Sequence, residues 1–169
     1  MDAASREALW RQFGAAIEML ENSIQACPDA LWGDRSRKPE FWYLVFHTLF
    51  FLDLYLSQSE EGFQPPPPFT CSELDPTGIL PERSYTKAEI LDYLEHGRAK
   101  CRAALGALSV ERAAEVRRFG SIEGDVLELL LYNMRHVQHH VGQLHLILRQ
   151  ETDFAPSWVG KAGTPLDDA

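Results

Sequence analysis

Apolar residues recur at helical spacing in four segments of the 169-residue chain, and this pattern limits the fold more than any other feature. No segment of comparable length shows the strict alternation of apolar and polar residues that is typical of a half-buried strand. We therefore predict an all-α fold with helices over residues 5–26, from about 39 to 59, from 86 to about 105, and from about 121 to 150. Thr86 and Glu89 match a capping box at the start of the third helix, and Ser121 can cap the fourth.

A proline-rich connection separates the second predicted helix from the third. Residues 62–85 hold six of the ten prolines, including the run 65–68, so this stretch cannot be helical. A loop of this length is either a functional lid or a long crossover between helices that are not antiparallel neighbours. We favour the crossover.

The chain length is typical of one domain with a single hydrophobic core. We place that domain over residues 1–160 and predict that residues 161–169 form a disordered tail, because they offer little to bury. Trp158 precedes this tail and can pin it onto the helices. The four tryptophans of the chain cannot all be central in so small a bundle, and exposed aromatic clusters are enriched at interfaces, which favours a homodimer.

The charge balance disfavours several classes of partner. A formal net charge of -9 repels phosphate backbones and anionic lipid surfaces, so we expect neither nucleic acid nor membrane as a partner. The three cysteines are far apart and form no CxxC pair, which is typical of reduced thiols in a cytoplasmic protein. The N-terminus has no apolar core of a signal peptide, and the most apolar stretch, residues 41–56, contains His47 and Asp53 and is too short to span a membrane.

Three histidines are the main functional signal. His136 and His140 are four residues apart, so on a helix they point the same way from adjacent turns. His47 lies among aromatic residues of the second predicted helix, where a polar ring without a partner costs roughly 1 to 3 kcal/mol. His47 alone is typical of a hydrogen-bonded core histidine, and the HxxxH pair alone leaves both interpretations open. Together they predict a three-nitrogen metal site inside a helical bundle.

The neighbours of these histidines narrow the chemistry. Imidazole nitrogens suit zinc, nickel, iron or copper, and three protein ligands leave part of the coordination sphere open. Val137 follows His136 where the HExxH motif of zinc peptidases requires a glutamate, so peptidase chemistry is disfavoured. His139 lies about 100° around the helix from His140 and cannot easily join the pair.

The motif His136-x-x-x-His140-x-Gly142-Gln143, with His47 in an aromatic helix before it, resembles the DinB/YfiT-like superfamily of metal-binding four-helix bundles. The last helix of that family typically reads HxxxHRGQ, and here Val141 replaces the arginine. The resemblance extends over roughly residues 5 to 150. It implies an up-down-down-up bundle, in which the long crossover makes two adjacent helices parallel, and it implies a homodimer.

The family includes transferases and isomerases that use low-molecular-weight thiols, proteins assigned as metal-dependent hydrolases, and many members with no known activity. Our first hypothesis is a metal-dependent transferase in which zinc or nickel, held by His47, His136 and His140, activates a small thiol for attack on an electrophile. Three further side chains could orient the ligands or the substrate: Tyr43, Asn133 and Gln143.

Two other functions stay open at this point. One is a hydrolase that uses metal-bound hydroxide, although no carboxylate base is evident near the ligands on their own helices. The other is a non-catalytic protein with a role in binding or in the stress response, whose helical bundle the metal stabilises. We favour the thiol because a thiolate is a good nucleophile without a protein base. The sequence identifies no catalytic residue.

Overall fold

The computed structural model describes residues 1–166, which form a mostly helical fold and so confirm the predicted class in broad form. In chain order the elements are α1 (Ala3–Ala26), α2 (Asp29–Trp32), α3 (Phe41–Tyr55), α4 (Lys87–Gly106), α5 (Val110–Ala113), β1 (Val116–Phe119), β2 (Ile122–Asp125) and α6 (Val126–Thr152). Across this described part of the chain, no helix is long and apolar enough to cross a membrane.

The long helices pack side by side around one core. α1 lies against α4 and α6, and α3 lies against the same two helices. α4 approaches α3 closely at Gly97, where an added Cβ would lie 2.9 Å from Cδ2 of Leu52. A side chain at position 97 would have to displace the Leu52 side chain, so α3 and α4 pack closely here, while another face of α3 meets α6.

The helix starts follow local hydrogen bonding. The capping box at α4 is confirmed: the Thr86 hydroxyl accepts from the Glu89 backbone, and the Glu89 carboxylate accepts from the Thr86 backbone. α3 begins at Phe41 after Glu40, a position or two later than Pro39 suggested, and it ends at Tyr55 rather than near residue 59.

The predicted start of the last helix is wrong. Residues 116–125 form a small antiparallel hairpin, and α6 begins only at Val126, where Asp125 caps it by accepting a hydrogen bond from the Glu128 backbone at 2.8 Å. Ser121 lies in the hairpin turn beside Gly120, whose positive φ of 58° favours glycine. Both strands have four residues, and most of their side chains are at least partly exposed, so they carry no alternating burial signal.

The connection between α3 and α4, residues 56–86, contains neither helix nor strand. It is nevertheless anchored. The hydroxyl of buried Tyr85 accepts hydrogen bonds from the backbone of Thr70 at 3.1 Å and of Cys71 at 3.0 Å, and Phe69 packs on the Tyr85 ring with centroids 4.7 Å apart. These contacts hold the stretch that follows Cys71 against α3, next to His47.

The start of the C-terminal stretch, for which we predicted a disordered tail, is docked on α1. The Ala162 backbone donates to the Arg11 carbonyl at 2.8 Å, and the Trp10 indole donates to the Thr164 carbonyl at 2.7 Å. Ala162 packs against Gly14, where an added Cβ would lie 2.7 Å away. Ala162 is thus buried, although most of residues 161–166 stay exposed. The last three residues of the predicted tail, 167–169, lie outside the described part of the chain.

The four tryptophans are not all central, as expected, but Trp158 does not have the role that we predicted for it. Trp10, Trp32 and Trp42 are buried, while Trp158 is 71% exposed and does not pin the tail. The aromatic surplus that we took to favour a homodimer is therefore largely absorbed within a single chain.

Candidate metal centre

The three histidines singled out from the sequence meet at the interface of α3 and α6. His47 comes from α3, and His136 and His140 come from consecutive turns of α6. Each offers one nitrogen, and these three atoms lie within 4.8 Å of one another. The Nε2 atoms of His136 and His140 are 3.1 Å apart. Two ligands that close can both contact one ion at the usual distance of about 2.0 to 2.1 Å.

Aromatic rings form the wall behind the cluster. Phe51 packs edge-on against His47, with centroids 4.9 Å apart, and lies 5.5 Å from His136. Tyr55 lies 6.3 Å from His136. The histidines themselves are partly exposed, so the cluster lies near the protein surface. A small molecule can reach it without opening the core.

Burial keeps His136 and His140 neutral. Desolvation, with smaller contributions from the neighbouring His140, His47 and His139, lowers the pKa of His136 to about 3. Desolvation also lowers the pKa of His140, although the Gln143 hydrogen bond opposes the shift. A neutral imidazole is the form that binds metal, so the folded chain presents these rings in the ligating state at neutral pH.

Gln143 fixes the orientation of His140. Its Oε1 accepts from the Nδ1 of His140 at 2.8 Å, which places the ring proton on Nδ1 and leaves Nε2 with a free lone pair. The amide nitrogen of Gln143 donates to Nε2 of His139 at 3.1 Å. His139 is exposed and is not a member of the three-histidine cluster.

Glu73 is the residue that sequence reasoning missed. It lies in the connection between α3 and α4, and its Oε2 is 3.1 Å from Nδ1 of His47 and accepts a hydrogen bond from the Tyr43 hydroxyl at 3.2 Å. The side chain is only 11% exposed. A carboxylate at Nδ1 holds the ring proton there and leaves Nε2 of His47 available to an ion. Tyr43 therefore contacts the site through Glu73.

Asn133, which we also singled out, makes a different contact. It is fully buried, and its Nδ2 donates to the Leu52 carbonyl at 3.0 Å, which ties α6 to α3. Within residues 1–166 its Oδ1 has no hydrogen-bond partner, and the same holds for Nδ1 of His136 and Oε1 of Glu73.

The donor set fits a divalent transition metal. Two of the three rings have the far nitrogen held by another side chain, Glu73 or Gln143, which is the usual arrangement around metal-bound histidines. Among the described residues, no other histidine, cysteine, aspartate or glutamate joins the three. Three neutral nitrogens leave coordination positions for an external ligand.

The family model of the DinB superfamily matches residues 12–144, a span that includes all three histidines. The chain belongs to the DinB superfamily. No curated protein matches it. In this DinB protein, Val141 replaces the arginine of the HxxxHRGQ pattern and is fully buried, so that position supplies no cation to the site.

Proposed function

We propose that this DinB protein binds a divalent transition metal, zinc or nickel, through His47, His136 and His140, and uses it to activate a low-molecular-weight thiol. The observation that carries the proposal is the convergence of three imidazole nitrogens within 4.8 Å at a partly open site. The burial that lowers the pKa values of His136 and His140 supports it, because protonated rings would repel an ion.

A metal at these ligands would lower the pKa of a bound thiol, because three neutral ligands leave its full charge for an anionic partner. The thiol proton leaves to solvent, the sulfur forms a bond to the electrophile, and the leaving group of the electrophile departs. Glu73 and Gln143 keep His47 and His140 oriented during these steps. The step needs no protein base.

The test is a transfer assay on metal-loaded protein with a chloronitrobenzene-type electrophile and several bacterial thiols. We expect acceleration that depends on both metal and thiol, and loss of that acceleration in His47→Ala and after chelation. Metal-loaded protein that accelerates no thiol reaction would contradict the transferase and leave a binding or stress-response role.

One observation favours a second candidate, a metal-dependent hydrolase. Hydrolysis benefits from a carboxylate near the site, and Glu73 supplies one with a buried oxygen, Oε1, that has no partner among residues 1–166. Acceleration of ester or amide hydrolysis without thiol, abolished by Glu73→Gln at unchanged metal content, would favour this candidate.

We further propose an up-down-down-up bundle and a cytoplasmic homodimer. The packing of α3 against both α4 and α6, with a long connection between α3 and α4, supports the bundle order. The dimer is what the resemblance to the DinB family implies. Light scattering at high micromolar concentration should give twice the chain mass, and a monomer would contradict the dimer.

A further inference from the structure

A cavity of about 190 Å³ opens beside the histidine cluster, and no function has yet been assigned to it. Its lining consists of Tyr132, Arg135, His136 and His139, all on α6. Spacings of three and four residues bring these side chains to one flank of the helix. His136 belongs to both the cavity and the proposed metal site, so a molecule in the cavity lies next to the metal ligands.

The cavity lining is rich in hydrogen-bond donors and contains no carboxylate. The Arg135 guanidinium has a fixed positive charge, Tyr132 has a hydroxyl, and His139, which accepts at Nε2 from Gln143, carries its proton on Nδ1. The chain as a whole has a net charge of -9, whereas the lining of this cavity carries the positive charge of Arg135. A second cavity of about 280 Å³ shares Tyr132 and Arg135 but is lined by Glu123 and Glu128, so it is unsuited to an anion.

Arg135 is also available for a ligand. Within residues 1–166 its side chain makes no hydrogen bond or ion pair, whereas Arg37, Arg83 and Arg98 pair with glutamates. Arg135 lies only two helical turns from Glu128 but does not pair with it. An unpaired guanidinium beside a ligand histidine is suited to bind a carboxylate, because its planar donors match the two carboxylate oxygens.

We infer that Arg135, with Tyr132 and His139, forms an anion subsite that binds the carboxylate of the same small molecule whose thiol reaches the metal. The inference rests on the proposed function and adds the substrate class: a thiol that carries a carboxylate. Val141, which replaces the arginine of the family pattern, is apolar and supplies no cation, whereas Arg135, the residue before His136, supplies one.

The test compares 3-mercaptopropionate with its neutral methyl ester on protein loaded with cobalt, whose absorption reports thiolate binding directly. Wild type should bind the acid about tenfold more tightly than the ester, the ratio that one charge-assisted hydrogen bond produces. Arg135→Gln should bring this ratio close to one, and Arg135→Lys should restore part of it. The matched control is Arg149→Gln, an exposed arginine on the same helix about 21 Å along its axis, and it should keep the wild-type ratio.

The outcomes separate this inference from the proposed function. If wild type binds both thiols equally, or if Arg135→Gln keeps the preference for the acid, the subsite is wrong while thiol binding stands. If neither thiol changes the cobalt spectrum, thiol activation itself fails. Propionate alone then decides the subsite: it should shift the amide NMR signals of residues 132–139 in wild type and not in Arg135→Gln, and an absence of shifts in wild type overturns it.

Discussion

Two polar side chains on α3, Asp53 and His47, have opposite surroundings. Asp53 is 2% exposed and faces α4. Its Oδ1 accepts a hydrogen bond from Nζ of Lys100 at 2.5 Å, and its Oδ2 accepts one from the Tyr93 hydroxyl at 3.2 Å. His47 lies six residues earlier, about 240° around the helix, and faces α6. Asp53 therefore meets a fixed opposite charge, whereas His47, whose Nδ1 contacts Glu73, also faces the neutral rings of His136 and His140.

The difference indicates which cluster needs an external partner. The Asp53 carboxylate is neutralised and hydrogen-bonded entirely by the chain, and Lys100 also donates to the Ser57 hydroxyl at 2.8 Å. The histidine cluster places two Nε2 lone-pair positions 3.1 Å apart, although at most one hydrogen can lie between them. A self-contained ion pair needs no further partner, although the loss of one member is costly, whereas a set of convergent acceptors is suited to a bound cation. Four predictions test this contrast.

The largest expected effect is on metal content. Purified untagged protein should contain about one transition-metal ion per chain, and His136→Ala or His140→Ala should lose most of it, because two ligands are too few to retain the ion. His139→Gln, an exposed neighbour on the same helix, is the matched control and should retain it. Metal analysis after dialysis is the measurement. Unchanged metal in both ligand variants would show that the cluster is not the site.

The Asp53 cluster should respond in stability alone. Lys100→Met leaves a buried carboxylate without its cation and should lower the free energy of unfolding by about 2 to 4 kcal/mol, less than a fully buried pair because Lys100 is 30% exposed. Denaturant unfolding measures the loss.

Two comparisons sharpen the Lys100 result. Arg11→Met breaks an exposed pair with Glu7 and should cost less than about 1 kcal/mol. Metal content should be unchanged in both variants. A Lys100→Met protein that loses metal at unchanged stability would show that the two clusters of α3 are coupled.

The third prediction concerns the hydrogen bond behind His47. Glu73→Ala frees the ring and should weaken metal affinity by about 10- to 100-fold, the range found when partners of metal-bound histidines are removed. Tyr43→Phe, which removes only the outer hydrogen bond to Glu73, should have a smaller effect. Competition with a chromogenic chelator measures both. Equal affinity in wild type and Glu73→Ala would show that the carboxylate does not act on the site.

The smallest effect is the pH dependence of the metal-free protein. Folding lowers the pKa of His136 to about 3. Between about pH 6.5 and pH 3, His136 is therefore protonated in the unfolded chain and neutral in the folded one. Stability is therefore fully present above about pH 6.5 and falls on acidification, by up to about 1.4 kcal/mol per pH unit for this group. Between pH 7 and 5, the free energy of unfolding of chelator-treated His136→Gln, measured with denaturant, should fall less steeply with pH than that of chelator-treated wild type. An identical slope would contradict the buried neutral ring.

Local patterns predicted what depends on helix geometry. A rotation of about 100° per residue already places His136 and His140 together and excludes His139, and it places Gln143 beside His140. The α4 capping box could be predicted in the same way, because Thr86 and Glu89 form hydrogen bonds across a single helical turn. The hairpin at 116–125 was not, because its short strands have mostly exposed side chains and leave no period of two.

The sequence by itself determined the helical class, the three convergent histidines and the family, since each follows from spacing within a helix or from a local motif. Only the tertiary structure decided that Glu73 reaches His47, because their contact spans 26 positions and an irregular connection without a periodic signal. The same is true of Ala162 on α1 and of the cavity beside Arg135. Contacts made by loops depend on where distant backbone segments are anchored, here by Tyr85 and Trp10, and no local repeat encodes that.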